Sequence, residues 1–298
     1  MRPGIHLLHK PVGPTSFSIV KTCIDAARAA EPSRKPRICH GGTLDPFAHG
    51  LLLILAGEAT KLFDHLHAVP KEYVATVRWG IETDNGDPHG KPVFAGDPSS
   101  LAPHQLDEVL ARFIGWQEQI PPATSNKRIS GERAYLKAHR GEAVLLPPSR
   151  VYLHEAHWLE HDLPRESRLR IVARGGYFVR ALGRDLGRAF GCGAHLATLH
   201  RTAIGPWRDP GAAQHVKLHG LDLLPWCATR ALSDQEVGEL RQGRDIPAGE
   251  LGEAGWKLLP GFPDPQAPVR AFHQSRLVFL LRADNGRLRA VTPFHRGL

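Results

Sequence analysis

Two periods of hydrophobic residues follow each other in the first third of the chain. After Ser16, a candidate N-cap, apolar residues recur three and four positions apart, which predicts a helix. Residues 51–55 are continuously aliphatic, as in a buried strand, and residues 58–66 are expected to form a short helix. Residues 73–79 alternate in the manner of a strand with one buried face. The apolar positions of the first helix are Ile19, Val20, Cys23, Ile24 and Ala27.

The middle of the chain continues with helices and strands in no strict alternation. Pro103 is expected to open a helix, and residues 169–173 alternate like a strand. Residues 179–190 then repeat with a helical period. A mixture of this kind favours an α+β fold for the larger part of the chain.

Beyond about residue 227 the pattern changes to short strands and tight turns. Residues 233–236 (S-D-Q-E) carry the signature of a capping box at the start of a short helix. The sequence Asp284-Asn285-Gly286 lies between two strand-like runs and predicts a hairpin. We therefore expect a domain over residues 1–228 and a small β-rich domain over residues 229–298.

The charge of the chain indicates a polyanionic partner. Lys and Arg total 38 against 30 Asp and Glu in 298 residues, which gives a net charge of +8. A surface this basic favours nucleic acid or an anionic membrane. Residues 117–150 form a proline-flanked segment in which basic residues outnumber Glu132 and Glu142. The basic residues are Lys127, Arg128, Arg133, Lys137, Arg140 and Arg150.

Several classes of protein are disfavoured. The four cysteines form no C-x-x-C pair, which argues against a disulfide framework or a zinc ribbon and fits reduced thiols in a cytoplasm. The first residues lack the apolar stretch of a signal peptide, and the longest aliphatic run is too short to span a bilayer. His154, His157 and His161 could share a helix face, but their neighbours favour a strand, so no metal site is expected there.

The glycine-rich turn at residues 41–46 contains the strongest candidate for chemistry. Asp45 lies at its tip, immediately before the aliphatic strand, where a carboxylate on rigid backbone could act as a nucleophile or a general base. The alternative is an aspartate that bonds only its own turn, and the local pattern alone favours that alternative. His40, beside the turn, could be an acid–base group or could stack on a base.

Several motifs in collinear order resemble those of the TruB family of tRNA pseudouridine synthases. Residues 40–50 (H-G-G-T-L-D-P-F-A-H-G) match the family's catalytic loop nearly letter for letter. Residues 8–16 (L-H-K-P-V-G-P-T-S) resemble the family's opening motif, and the match extends from residue 5 to about residue 206. Further matching segments are 57–61 (G-E-A-T-K), 71–73 (K-E-Y), 80–90, 131–135 (G-E-R-A-Y), 179–187, 191–196 and 199–202.

The resemblance implies a fold and a reaction. The fold is a pseudouridine-synthase catalytic domain with a mixed, largely antiparallel sheet, followed by a small PUA-like RNA-binding domain. The reaction isomerises the T-loop uridine at tRNA position 55: the N-glycosidic bond breaks, the uracil rotates and C5 rejoins C1′, with no cofactor or metal. By position in the motifs, Asp45 is the catalytic carboxylate, and Tyr73 is the active-site tyrosine that packs on the target base and can assist the final removal of the C5 proton. Arg180 pairs with Asp45 and keeps it ionised and in place.

The resemblance also implies how the RNA is held. The target uridine lies inside a folded loop and has to be flipped out, and His40 matches the histidine that fills or braces the vacated stack. Residues 117–150 correspond to a thumb-like insertion that closes over the T loop, where Lys127, Arg128 and Arg133 are expected to contact phosphates. The other substrate- or RNA-binding residues carried over from the family are Lys10, Lys61, Asp87, Tyr177, Phe178, Leu199 and Arg201.

Three positions depart from the family pattern. Phe178 stands where a tyrosine is usual, so that hydroxyl is either absent or supplied by Tyr177. Thr124 replaces an aromatic residue in the insertion, and Arg128 replaces a lysine. These changes affect the expected base stacking and thumb closure, whereas the Asp45 loop is intact.

Two other functions are compatible with these residues. One is an RNA-guided pseudouridine synthase that depends on partner proteins, and the other is a non-catalytic protein that binds and refolds tRNA. The insertion favours a stand-alone enzyme, because the guided relatives largely lack it. Asp45 together with Tyr73 and Arg180 favours catalysis, because binding alone requires none of them together. We expect a cytoplasmic monomer whose partner is the T stem-loop of tRNA, with no membrane and no obligate protein partner.

Overall fold

The computed structural model describes residues 1–33, 35–67, 69–125, 127–129, 131–256 and 267–298. Within these ranges the chain forms six α-helices, two short 3₁₀-helices and nineteen strands. The helices are α1 (Ser16–Ala30), α2 (Phe63–His67), α3 (Pro103–Ala111), α4 (Ala134–His139), α5 (Val179–Ala189) and α6 (Asp234–Arg241), and the 3₁₀-helices are Gly57–Leu62 and Gly220–Asp222.

The strands divide into a large sheet, a smaller sheet and two short hairpins. In chain order they are β1 (Gly4–Lys10), β2 (Ile38–His40), β3 (His49–Ala56), β4 (Lys71–Trp79), β5 (Ile81–Thr83), β6 (Pro92–Ala95), β7 (Gly115–Gln119), β8 (Arg128–Ile129), β9 (Glu132–Arg133), β10 (Ser149–Asp162), β11 (Glu166–Ala173), β12 (Ala194–Ile204), β13 (Trp207–Arg208), β14 (His215–Lys217), β15 (Thr229–Ala231), β16 (Ile246–Pro247), β17 (Val269–His273), β18 (Arg276–Asp284) and β19 (Arg287–Pro293).

The large sheet is mixed and largely antiparallel, as predicted. Its strands pair in the order β14-β1-β3-β12-β4-β11-β10-β7, with β13 joined to β12 and β2 to β3. Only β3 and β12 run parallel among these described pairs. The close approach of β3 and β12 requires a glycine at position 50, because φ is +110° there and a Cβ would lie 2.4 Å from the carbonyl oxygen of Arg201. The pairing of β3 with β12 brings the turn at residues 41–46, which precedes β3, next to the C-terminal half of β12.

Helices α3 and α5 pack on one face of the large sheet. Burial of the apolar faces of these two helices against the central strands forms the main hydrophobic cluster. The turn before β3 belongs to the same cluster through Leu44, Phe47 and Ala48. Among the other buried members are Ala75, Val77, Leu106, Leu110, Leu169, Ile171, Leu182 and Leu186.

The second sheet has the order β15-β17-β18-β19-β16 and packs against the first. Leu277 and Leu280 of this sheet share a buried cluster with Ile5 and Leu51 of the large sheet. All strands of the second sheet come after residue 228. The predicted domain at residues 229–298 also includes residues 257–266, which lie outside the described residues. The domain boundary at 228/229 stays a prediction.

Most of the local predictions are confirmed. Residues 51–55 lie in β3, residues 73–79 in β4, and residues 169–173 in β11, each with the expected buried face. The capping box at Ser233 has both of its hydrogen bonds, and the hairpin between β18 and β19 has positive φ at Asn285 and Gly286. His154, His157 and His161 lie on β10, as their neighbours indicated. No helix in the described ranges is both long and apolar enough to cross a membrane.

Two local predictions are wrong. The N-cap of α1 is Thr15, whose side chain accepts a hydrogen bond from the backbone N–H of Ser18, whereas Ser16 is the first helical residue and turns inward. Residues 58–66 do not form one helix, because a 3₁₀-helix at Gly57–Leu62 precedes the five-residue α2. Threonine and serine are both good N-caps, so the local sequence does not distinguish Thr15 from Ser16. The ends and the type of a short helix such as residues 58–66 are also hard to predict.

Candidate active site

The turn that carries Asp45 is anchored by a buried serine from α1. Ser16 Oγ donates a hydrogen bond to the carbonyl of Leu44 at 2.9 Å and accepts one from the backbone N–H of Leu44 at 2.8 Å. Ser16 is 2% exposed, so water does not compete for these bonds. Both backbone groups of Leu44, the residue before Asp45, are therefore fixed.

Two buried cations hold the rest of the turn through its carbonyl oxygens. Arg201 donates from Nε to Leu51, from Nη1 to Thr43 and from Nη2 to Gly42, at 2.7, 3.1 and 3.3 Å. Lys10 Nζ donates to the carbonyls at positions 11, 14 and 46, at 2.8, 2.9 and 3.4 Å. Both side chains are almost completely buried, at 1% and 0% exposure. In this structure they position the Asp45 turn from within the protein.

The pKa of the Lys10 ammonium is lowered to about 8, chiefly because the side chain is buried. The negative charge of Asp45 opposes this shift, and the positive charge of Arg201 adds to it. The three carbonyl acceptors and Asp45 therefore provide the polar environment in which this buried amine resides.

Asp45 forms a two-pronged ion pair with Arg180. Arg180 Nε donates to Oδ2 at 2.8 Å and Nη2 donates to Oδ1 at 3.2 Å. Arg180, in the first turn of α5, is buried, whereas the Asp45 side chain keeps 29% exposure. A parallel pair of charge-assisted bonds fixes both the position and the plane of the carboxylate. The result is an oriented carboxylate with one side open.

The remaining donors of Arg180 reach two other segments. Nη1 donates to the carbonyl of Asn85 at 2.8 Å and to the hydroxyl of Thr124 at 2.7 Å, and Nη2 also approaches the carbonyl of Thr124 at 3.4 Å. The loop that contains Asn85 comes close because residue 86 is glycine: with φ of +73°, a Cβ there would lie 3.2 Å from Arg180. Asp87, in the same loop, lies 4.0 Å from Nη1. Arg180 therefore connects the catalytic turn, this loop and the insertion.

Tyr73 lies beside this pair on β4, opposite Arg201 of β12. Burial raises the pKa of the Tyr73 hydroxyl, the charge of Asp45 acts in the same direction, and the charge and hydrogen bond of Arg201 oppose them. The phenol is consequently protonated at neutral pH. Its ring packs against the main hydrophobic cluster, which makes it a flat apolar surface next to the carboxylate.

His40 lies at the end of β2, directly before the turn. Burial lowers the pKa of His40, and the positive charges of Arg201 and Arg133 lower it further, so the imidazole is neutral at pH 7. Within the described residues, its buried Nδ1 has no hydrogen-bond partner. A buried ring nitrogen without a partner can accept or donate a bond to a group that enters the site.

The insertion presents its basic residues on and beside a short hairpin. Lys127, Arg128 and Arg133 lie at or near strands β8 and β9 and are exposed. Arg128 also donates to the carbonyl of Gly131 at 3.4 Å, and Arg140 of the insertion forms ion pairs with Glu132 and Glu142. Residues 126 and 130 of the insertion lie outside the described residues.

Four other residues expected to contact substrate or RNA have different surroundings. Leu199 is a core residue with 3% exposure, and the buried Tyr177 hydroxyl is bonded to Gln117 at 3.3 Å. Tyr177 therefore does not replace the hydroxyl that Phe178 lacks. Phe178 is half-buried, and its backbone N–H and carbonyl are both bonded to the Gln119 amide. Lys61 bonds Glu58 and the carbonyl of Pro293, so it joins the two sheets.

Sequence reasoning missed three residues that build the site. The sequence indicates Ser16 only as a helix cap and Thr124 only as a departure from the family pattern, and it indicates no role for the carbonyl of Asn85. The only available signal was the position of Ser16 in the opening motif and of Asn85 within residues 80–90. Ser16 contacts Leu44, 28 residues away along the chain. Thr124 and Asn85 both contact Arg180, which is 56 and 95 residues away from them. These separations are beyond the range of local patterns.

This arrangement can attack or deprotonate a substrate at one fixed point. A single carboxylate is held rigidly by an arginine, beside a neutral phenol and near a hairpin with exposed cations. Such a site fits a polyanionic substrate with a planar group that can lie on Tyr73 while its reacting atom faces Asp45.

Comparison with known families identifies matching models for most of the chain. The TruB family pseudouridylate synthase N-terminal domain matches residues 30–179, and the tRNA pseudouridylate synthase B C-terminal domain matches residues 180–242. The chain is 36% identical over 244 residues to tRNA pseudouridine synthase B of Desulfotalea psychrophila, covering 80% of this chain and 97% of that protein. It is 38% identical over 284 residues to the protein of the same name from Rhodopseudomonas palustris, covering 94% of this chain and 71% of that protein.

Solved structures share the fold at low sequence identity. A chain of a Cbf5-Nop10-Gar1 complex superposes with a TM-score of 0.62 at 23% identity, over 94% of this chain and 78% of that one. A chain from an H/ACA RNP bound to a substrate RNA containing 2′-deoxyuridine gives the same TM-score at 20% identity, over 98% of this chain and 84% of that one. The architecture built around the Asp45 turn is therefore common to these proteins.

Proposed function

This chain belongs to the TruB family of pseudouridylate synthases, and from that premise we propose that it converts the T-loop uridine at tRNA position 55 to pseudouridine. The observation that carries the proposal is the Asp45–Arg180 ion pair, a fixed and partly open carboxylate in the loop that matches the family's catalytic motif. The relatives named above are tRNA pseudouridine synthases B, which supports tRNA as the substrate. The positive charge of +8 fits the same class of partner.

Asp45 is the group that acts on the nucleotide. During the isomerisation the bond between N1 and C1′ breaks and a bond between C5 and C1′ forms, so the same atoms are present before and after. Asp45 acts as nucleophile or base while the uracil is detached, and Arg180 keeps the carboxylate aligned. Ser16, Lys10 and Arg201 support this role, because each holds a backbone group of the turn.

Tyr73 acts through its ring and its neutral hydroxyl. A raised pKa keeps the phenol protonated, so the ring can stack on the uracil while the hydroxyl donates a hydrogen bond. For removal of the C5 proton, a phenol in this state first needs a base to accept its own proton. We assign stacking as the main contribution of Tyr73.

His40 and the insertion handle the RNA around the target. The neutral imidazole of His40, with its unpartnered Nδ1, is suited to occupy the stack that the flipped uridine leaves. The exposed side chains of Lys127, Arg128 and Arg133 meet phosphates of the T stem-loop in this proposal, which adds affinity without reading the sequence. We further propose that the enzyme acts as a monomer in the cytoplasm, without a guide RNA or protein partner.

The test is turnover on an unmodified tRNA transcript with purified protein alone. Pseudouridine is mapped by its carbodiimide adduct and the resulting stop of reverse transcription. We expect a single stop at the T-loop uridine, its loss in Asp45→Asn, and its retention in the control Asp97→Asn, which removes a carboxylate from an exposed loop. Binding of tRNA without any stop would contradict the proposal and favour the guided enzyme or the non-catalytic binder.

A further inference from the structure

We propose that Thr124 is a positioning residue for the Asp45–Arg180 pair and that it couples this pair to the seating of the insertion. The inference rests on the proposed function. Thr124 Oγ1 accepts a bond from Arg180 Nη1 at 2.7 Å, and the carbonyl of Thr124 lies 3.4 Å from Nη2. Thr124 belongs to the insertion, whereas the other partners of Arg180, Asp45 and Asn85, belong to segments packed on the sheet.

The guanidinium depends on this partner because it is buried. Arg180 is 5% exposed and has five N–H donors in a rigid plane, all directed at protein oxygens. When Thr124 moves away, water has little access to replace its hydroxyl, so Nη1 keeps only the carbonyl of Asn85. Without the bonds to Thr124 the guanidinium can shift, and a shift changes the alignment of both bonds to Asp45.

The position of Thr124 follows the basic hairpin closely. Directly after it, the backbone of Ser125 bonds that of Tyr135 at 3.2 Å, and the backbone of Lys127 bonds that of Ala134 at 2.8 Å. These two bonds close the base of the loop that carries Lys127, Arg128 and Arg133. A displacement of the hairpin therefore reaches residue 124 through a single peptide link.

The insertion makes a second contact with the start of α5. Gln119, at the end of β7 where the insertion begins, bonds the backbone N–H and carbonyl of Phe178 at 3.0 and 3.3 Å. The insertion thus touches the start of α5 at two points, one on the backbone at Phe178 and one on the side chain of Arg180. The first contact fixes the helix end, and the second leaves the guanidinium sensitive to the hairpin. RNA phosphates that hold the hairpin in this position would preserve the bonds between Thr124 and Arg180 while the substrate is bound.

The test separates the rate of isomerisation from binding. Thr124→Val keeps the shape but removes the hydroxyl, and Thr124→Ser keeps the hydroxyl. With saturating enzyme and T stem-loop RNA, we expect the single-turnover rate constant of Thr124→Val to fall about tenfold, as for loss of a bond to a charged group. The Kd for the RNA should stay within about twofold of wild type, and Thr124→Ser should recover most of the rate. The control Thr198→Val removes a hydroxyl bonded to Thr76 at an exposed strand position and should have no effect.

Three results would overturn the inference: a Thr124→Val rate equal to wild type, a change in Kd alone, or a Thr124→Ser protein as slow as Thr124→Val. Melting curves show whether each variant folds, and Thr124→Ala replaces Thr124→Val in the same comparison if the valine does not fit. Wild type is measured in the same assay. A wild-type protein that makes no pseudouridine refutes the proposed function and the inference with it, whereas an active wild type with an equally active Thr124→Val refutes the role of Thr124 alone.

Discussion

The turn around Asp45 and the insertion at residues 117–150 both contact Arg180 but are held in opposite ways. The turn is fixed by buried groups: the Ser16 hydroxyl, the Lys10 ammonium and the Arg201 guanidinium all bond its backbone. The insertion is held largely by exposed ion pairs, such as those of Arg140 with Glu132 and Glu142, and by a few contacts at its root. Exposed pairs of this kind contribute little to stability because solvent screens them.

This difference matches two different tasks. A carboxylate that reacts at one atom gains from being fixed before the substrate arrives. A segment that grips a phosphate backbone needs charge and freedom to adjust, since phosphate contacts add affinity with little demand on geometry. We therefore expect changes at the turn to reduce the reaction rate, and changes in the insertion to reduce affinity.

The largest expected effect comes from Arg180→Lys. Lysine keeps the charge but cannot make the paired bonds to Asp45 or reach Asn85 and Thr124 together. We expect the single-turnover rate to fall by about a hundredfold or more, with little change in the Kd for RNA. Arg184→Lys, one turn later on α5 and paired with Asp185, is the matched control. An Arg180→Lys enzyme with normal turnover would show that the paired geometry is unimportant.

A smaller effect is expected for Ser16→Ala. The substitution leaves both the N–H and the carbonyl of Leu44 without partners in a buried place, which costs about 1–3 kcal/mol of stability. Because these bonds fix the peptide before Asp45, we also expect roughly a tenfold lower turnover rate. Ser18→Ala, two residues later, removes only an exposed hydroxyl bonded to Thr15 and should leave both quantities unchanged. Urea unfolding and single-turnover assays measure them, and a stable but fully active Ser16→Ala would contradict the view of a fixed turn.

The insertion should respond in affinity instead. Removing two exposed cations with Lys127→Ala and Arg128→Ala should weaken binding and reduce the slope of log K against log salt by about one to two. The rate at saturating RNA should stay close to wild type. The control is Arg165→Ala with Arg168→Ala, which removes two exposed arginines on the β10–β11 hairpin. An unchanged salt slope would mean that these two residues do not meet phosphates.

The smallest expected effect is a local response to acid. His40 and His49 lie on either side of the turn, and burial lowers the pKa of both below the usual 6.5. The folded state therefore binds fewer protons than the unfolded state, so their contribution to stability is complete above about pH 6.5 and declines as the pH falls below it. Hydrogen exchange, corrected for intrinsic rates, should show that lowering the pH from 7.5 to 5.5 accelerates opening more at residues 41–46 than at β8 and β9. Equal changes in the two segments would remove this distinction.

Much of the fold and the central site residue could be predicted from the sequence. Strand β4 and helix α5 follow from apolar spacing, because a period of two or about 3.6 needs only one local buried face. Asp45 stood out because its loop matches a known motif and precedes an aliphatic strand. The position of Ser16 was predicted as a helix start, yet its hydroxyl is used 28 residues away, which no local rule indicates.

What the sequence by itself determined is most of the local elements, the family and Asp45 as the candidate for the reacting carboxylate. The tertiary structure alone decided which side chains hold that carboxylate: Arg180 lies 135 residues from Asp45, and Thr124 lies 56 residues from Arg180. It also decided that Arg201 and Lys10 face the interior. The physical reason is that periodicity constrains a residue only relative to its neighbours. Contacts across the chain depend on the order of strands, here on β3 running parallel to β12, and on burial, which makes an enclosed polar group without a partner costly.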